Sequence, residues 1–180
     1  APNGDAHIRA AGPLYAPPAD PALVPHKPQQ TAADHLRAPA DTGGPVVRLD
    51  AADTLWGVER DGRSHAELER SAGGVGLRFT LASAADVVPF AALDATTTIP
   101  PGSTGIAFRG RAERPMRLSV QIRVVTAGEG KRWQRSIYLD ERDRDIVIPF
   151  AQMTAVGALA SGPPDVPNIR TILWVADTFN

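Results

Sequence analysis

The chain has 180 residues and a mass of 19.1 kDa, enough for one ordinary domain, or for a domain of about 130 residues with an arm. Lys and Arg number 19 against 20 Asp and Glu, a net charge of −1. That balance argues against a generic nucleic-acid binder or a polybasic membrane anchor, both of which need a strong basic excess. With no Cys there is no disulfide, thiolate metal site or thiol nucleophile, and no apolar stretch approaches the roughly 18 to 20 residues of a spanning helix.

Gly and Pro together make up 33 of the 180 residues, well above ordinary usage of about 12%, so turns and irregular chain are expected to be abundant. Nine of the 17 prolines lie in the first 45 residues: Pro2, Pro13, Pro17, Pro18, Pro21, Pro25, Pro28, Pro39 and Pro45. Each removes a backbone donor and biases its predecessor away from helix. Between them stand isolated apolar residues, Leu14, Tyr15, Leu23 and Val24, with no period of 2 or 3.6. Residues 1–45 therefore read as an extended Pro-rich arm, with at most a helical turn near residues 31–37, and those four side chains are its candidate contacts to a partner. The start on Ala1 is compatible with removal of a signal peptide, with Met excision, or with excision from a longer chain. Export, periplasmic or secreted, is the expectation, with any membrane association made through partners.

From Val46 the pattern changes, and residues 46–180 read as one module. Residues 46–49 and 55–59 are short apolar runs. Residues 63–70 are expected to form a helical turn stopped by Gly73 and Gly74. Val75, Leu77, Phe79 and Leu81 alternate with Gly76, Arg78 and Thr80, the period of a half-buried strand. Residues 87–93 form a segment interrupted by Pro89, expected at a sheet edge. Ile106 and Phe108 alternate with Arg109 and Arg111; after a turn at residues 113–115, Leu118, Val120, Ile122 and Val124 alternate with Ser119, Gln121, Arg123 and Val125. Two further strands are expected over residues 133–139 and 146–150, then a loop over 151–168. A last strand over 169–175, apolar on both faces, is expected at the centre of its sheet. Strands at intervals of 8 to 14 residues with no long amphipathic helix predict an all-β fold, an antiparallel β-sandwich preceded by the arm.

Four runs carry a resemblance: residues 105–123 (GIAFRGRAERPMRLSVQIR), 131–140 (KRWQRSIYLD), 146–150 (IVIPF) and 168–178 (NIRTILWVADT). In this order they resemble carbohydrate-binding-module-like jelly rolls of the galactose-binding superfamily, similar to the family 11 modules attached to bacterial exported proteins. The resemblance covers roughly residues 75–178 and implies a jelly roll with a glycan-like ligand. It also implies a further closing strand after the turn at Asp177 and Thr178. The chain ends at Asn180, so an added strand is expected from residues 46–58, from the arm, or from another chain by β-augmentation at an open sheet edge.

The candidate ligand residues follow from the alternation. Arg109, Arg111, Gln121 and Arg123 fall opposite the apolar face of two strands taken as adjacent; their fork-shaped donors suit sugar hydroxyls or carboxylates, the alternative being a solvated face of cross-strand ion pairs. Trp133 is either a stacking platform or a plug of the sandwich, with Arg135 on its side of the strand and Tyr138 on the other. Trp174 is assigned to the core. His7, His26, His35 and His65 share no metal-ligand spacing. Asp140, Glu141, Asp143 and Asp145 crowd one turn, as a structural calcium would require, but Arg142 and Arg144 interleave and a solvated hairpin tip fits better. No cofactor is otherwise implied. There is no Gly-x-Ser-x-Gly elbow, phosphate loop or singled-out carboxylate pair, so a non-catalytic role is expected.

Two functions stay open at this point. The first is a structural or accessory subunit of a larger extracytoplasmic or membrane-associated assembly, for example a bioenergetic complex, with the arm wrapped on other protein chains. The second is a glycan-binding module of a secreted protein.

Overall fold

A computed structural model describes residues 44–49, 54–72, 74–83, 88–124, 130–157, 160 and 162–178. The arm residues Leu14, Tyr15, Leu23 and Val24, the turn near 31–37 and three of the four histidines lie outside them. The described residues build eleven strands: β1 (Val46–Arg48), β2 (Leu55–Arg60), β3 (His65–Ser71), β4 (Gly74–Thr80), β5 (Phe90–Thr96), β6 (Gly105–Gly110), β7 (Met116–Val124), β8 (Lys131–Leu139), β9 (Arg144–Pro149), β10 (Thr154–Val156) and β11 (Ile169–Asp177). Short 3-10 turns follow β9 and precede β11.

Six strands form one sheet in the order β10-β8-β7-β11-β5-β2, every pair antiparallel. A three-stranded sheet, β1-β6-β9, and a separate hairpin, β3-β4, complete the fold. The fold is a β-sandwich as the spacing of the strands predicts, with one departure: β1 runs parallel to β6.

Alternation sets the layers. Leu93, Ala95, Val120, Ile122, Val124, Ile137, Leu139, Ile172 and Trp174 of the large sheet share one buried core with Val47, Ile106 and Ile148 of the small one. Leu68, Val75 and Leu77 of the hairpin pack against the same core. Within it Trp174 meets Trp56 at 5.6 Å between ring centroids and Phe108 edge-on at 5.3 Å, so aromatic contact joins β2, β11 and β6. β11 is central, as its two apolar faces predict, with β7 on one side and β5 on the other.

Three expectations are corrected. Residues 63–70 hold no helical turn; they enter β3, where Ala66 and Leu68 face Phe79 and Leu77 of β4. Ala, Glu, Leu and Arg favour helix only weakly, and pairing with β4 overrides that preference. Glycine at Gly74, with φ of +141°, suits the turn of a hairpin as well as a helix stop. The Pro89 segment is not an edge: Pro89 precedes the ladder, and β5 lies between β11 and β2. A proline just before the first paired residue costs the sheet no bond. Residues 151–168 are not all loop, because Thr154–Val156 adds β10 to the edge of β8. Of the sources expected for an added strand, residues 46–58 are the one seen among the described residues: they give β1 to one layer and most of β2 to the other.

Ile122 is fully buried in β7 at the centre of the core. Ile122→Ala should lower the unfolding free energy by about 3 kcal/mol through lost transfer energy and the cavity left behind. Arg109→Gln, on an exposed pair, should leave the urea midpoint nearly unchanged; urea denaturation of both variants reads the contrast.

Candidate functional site

Inward-facing positions of the large sheet are taken by the core, so the alternate positions form its outer face. On β8 these are Arg132, Gln134, Ser136 and Tyr138; on β7 Arg117, Ser119, Gln121 and Arg123. β11 contributes Thr171, Leu173 and Val175, β5 contributes Ala92 and Asp94, and β2 contributes Gly57 and Glu59. Register aligns Gln134, Gln121, Leu173, Asp94 and Gly57 in one row across five strands.

The centre of this face has an apolar floor: Ala92, Leu173 and Val175 are buried together, with Phe90 packed beside them. Across the floor, Arg123 of β7 donates two hydrogen bonds to the Glu59 carboxylate of β2, at 2.5 and 2.7 Å. The pair thereby spans from β7 to β2, with β11 and β5 between those strands. Ser119 Oγ donates to Gln134 Oε1 at 3.2 Å on the neighbouring strand. Both ions of the Arg123–Glu59 pair are about one-third exposed, and a fork-to-carboxylate pair of this kind fixes both side chains in orientation.

Asp94 lies beside that pair. Among the described residues nothing donates a hydrogen bond to it, and desolvation, then repulsion from Glu59, raise its pKa against the opposing pull of Arg123. The carboxylate rests over Gly57, where an added Cβ would collide with Asp94 Oδ2. Glycine at position 57 is what makes the room. The outer face thus presents an under-partnered carboxylate, a held guanidinium and two side-chain amides above an apolar strip.

The edge strand that carries Glu59 is positioned by the turn after it. Asp61 accepts hydrogen bonds from the amides of Arg63, Ser64 and Phe90 at 2.8, 3.0 and 2.9 Å, and from the Ser64 hydroxyl. The last of these amides belongs to β5, so one carboxylate ties the β2–β3 turn to the strand bearing Asp94. Hydrogen bonds led by Ser64 hold the Asp61 carboxyl well below the usual carboxylate range.

The residues expected at a single site are divided by the structure. Gln121, Arg123 and Tyr138 lie on the outer face of the large sheet. Arg109 lies in the small sheet, paired with Asp145 across to β9 at 3.0 Å, and Arg111, just past β6, is 3.9 Å from Asp143. β6 and β7 are consecutive in sequence but sit in different layers, which alternation alone cannot reveal. Trp133 is a plug: it is 2% exposed, and its Nε1 donates to the Gly162 carbonyl at 2.8 Å. Arg135, on the core side opposite Val120, is half-buried and sends its guanidinium to within 3.5 Å of the Gln152 carbonyl at the rim. In the acidic turn Asp140 accepts from Arg144 and from the Arg142 amide, and Asp143 and Asp145 face Arg111 and Arg109. Among the described residues no group of three or more His, Asp or Glu could hold a metal ion. Glu59, Asp94 and Gly57 were not legible as site residues, because their face depends on β2 joining β5; the one signal was a Gly, a Glu and an Asp at alternating positions of two apolar runs.

A cavity of about 400 Å³ opens at one end of the sandwich between Thr104, Phe150, Gln152 and Val166. The hydroxyls of Ser103 and Thr104 beside it are spent on the Pro100 and Pro45 carbonyls.

No protein-family model matches the sequence, and no curated protein matches it. Solved structures do. The family 11 carbohydrate-binding module of Clostridium thermocellum in complex with a β-1,3-1,4-mixed-linked tetrasaccharide superposes with a TM-score of 0.53 at 18% identity, over 71% of this chain and 83% of that one. The family 11 module of the cellulosomal cellulase Lic26A-Cel5E of the same organism gives 0.54 at 18% identity, over 71% and 82%. The fold is a jelly-roll β-sandwich like that of these modules. At this identity the likeness is one of fold, and it agrees with the resemblance carried by the runs between residues 105 and 178. Among the described residues, no helix of this jelly roll is long and apolar enough to cross a membrane.

The Asp61 contacts give a pH-dependent prediction. Its folded pKa lies below the unfolded value of about 3.9, so its stabilisation is complete above that value and is lost as pH falls toward the folded one. Asp61→Asn should lower the urea midpoint at pH 7, and the gap from wild type should narrow as pH falls below about 4. A gap constant from pH 7 to pH 2 would contradict this role.

Proposed function

We propose that the chain is a non-catalytic carbohydrate-binding module, exported with the protein that carries it, and that its ligand lies on the outer face of the six-stranded sheet. The observation that carries this reading is Asp94: a desolvated carboxylate with no hydrogen-bond donor among the described residues, beside the held Arg123–Glu59 pair. A group kept in that state weakens the fold and suits a ligand that brings donors of its own. Sugar hydroxyls are such donors, while Arg123, Gln121 and Gln134 offer planar donors and acceptors to the remaining ring oxygens. Leu173 and Val175 supply an apolar floor for the C–H faces of a ring. The likeness to carbohydrate-binding modules favours this function over that of a subunit of a larger assembly. The arm residues on which the subunit reading rests lie outside the described residues.

The test is titration calorimetry of the full chain against a panel of soluble oligosaccharides. Asp94→Asn should weaken the best ligand about tenfold, since the amide loses one acceptor. The sign for stability is opposite. An acid whose folded pKa is raised loses stability as pH rises through that value. Asp94→Asn should therefore keep or raise the melting temperature at pH 7. A panel without any binder, or a variant that loses stability and keeps affinity, would sink the proposal.

A further inference from the structure

The charges on the outer face are sorted by strand. Glu59, Asp94 and Asp177 stand on β2, β5 and β11, whereas Arg117, Arg123 and Arg132 stand on β7 and β8. In that second half, Arg123 and Arg132 are direct cross-strand partners. Two arginines at one register position on one face place like charges on neighbouring strands, an unfavourable pairing where no counter-ion intervenes. Arg123 is relieved from the far side by Glu59. Arg132 is exposed and has no hydrogen-bond or ion-pair partner among the described residues.

Aromatic platforms are scarce on the same face. Trp56, Trp133 and Trp174 all pack into the core, and Tyr138 is the one Trp or Tyr on the outer positions of the described strands, half-buried and opposite Arg117. A neutral sugar held chiefly by stacking would find little to stack on. An anionic substituent would find the forked donors of Arg132 beside Arg123, which suit a carboxylate or sulfate. It would also bring a counter-charge to Arg132, which has none among the described residues.

We infer that the module is specific for an acidic glycan, one bearing carboxylate or sulfate groups, whose charged residue sits on β7–β8 between Arg132 and Arg123 while its neutral hydroxyls lie over Asp94. This rests on the carbohydrate reading above and adds the ligand class and the polarity of binding. The span from β8 to β5 is three strand spacings, about 14 Å, so the ligand is an oligosaccharide laid across the strands.

The test uses the full chain and three probes: a galacturonate oligomer, an O-sulfated oligosaccharide and the neutral β-1,3-1,4-mixed-linked tetrasaccharide. One or both acidic probes should bind at least about tenfold tighter than the neutral one at low salt, the margin shrinking as salt rises. Which acidic probe binds tells uronate from sulfate. Arg132→Gln should reduce acidic binding about tenfold with neutral binding unchanged, and Arg114→Gln, an exposed arginine in the β6–β7 turn, should change neither. Because Arg132 is exposed and its charge opposes that of Arg123, its variant should retain or slightly exceed the wild-type melting temperature. Neutral binding equal to or tighter than acidic binding, or no effect of Arg132→Gln, overturns the acidic specificity and leaves the carbohydrate reading standing. Failure of all three probes together with the wider panel removes both.

Discussion

The burial of β11 on both faces is the constraint on which the architecture depends. Ile172 and Trp174 turn inward to the core shared with β1, β6 and β9, while Leu173 and Val175 turn outward to the floor of the opposite face. A strand apolar on both sides cannot sit at an edge without leaving a row of apolar side chains wet, so it takes the centre of the large sheet. β7 and β5 then flank it, and their polar alternate positions, Gln121, Arg123 and Asp94, are brought to either side of one apolar strip.

The polar chemistry above that strip comes from strands distant in sequence. Glu59 and Arg123 are separated by 64 positions and meet only because β2 joins the sheet through β5. Asp61 secures that join by capping the β2–β3 turn and accepting the Phe90 amide. The two carboxylates are distinguished by their surroundings. Asp61 collects donors and is stabilised as an anion, whereas Asp94 is desolvated, placed near a second anion and left without donors. The two directions of pKa shift follow from hydrogen bonding in one case and burial in the other.

The aromatic residues illustrate the same economy. Trp56, Trp174 and Phe108 join the two layers, and Trp133 fills the interior with its indole N–H bonded to Gly162. Large rings used as internal packing are not offered to a ligand. The outer face is correspondingly a surface of guanidiniums, amides and carboxylates around the apolar strip of Ala92, Leu173 and Val175.

Alternation by itself determined β4, the strands from β6 to β9 and the inward set Leu118, Val120, Ile122 and Val124, because a period of 2 is a local property of the backbone; two apolar faces determined the central place of β11. The ordered runs from residue 105 to residue 178 also carried the jelly-roll resemblance. Local pattern misplaced residues 63–70 and 87–93, where weak propensity and a proline were outweighed by pairing with strands remote or later in the chain. The candidate site was legible in part: Gln121, Arg123 and Tyr138 stood on the correct side of their strands. Arg109 and Arg111 were separated from them by the assignment of β6 and β7 to different layers, and Glu59, Asp94 and Gly57 were added by the pairing of β2 with β5. Which strands become neighbours is decided by burying one common core, and that is a property of the whole chain.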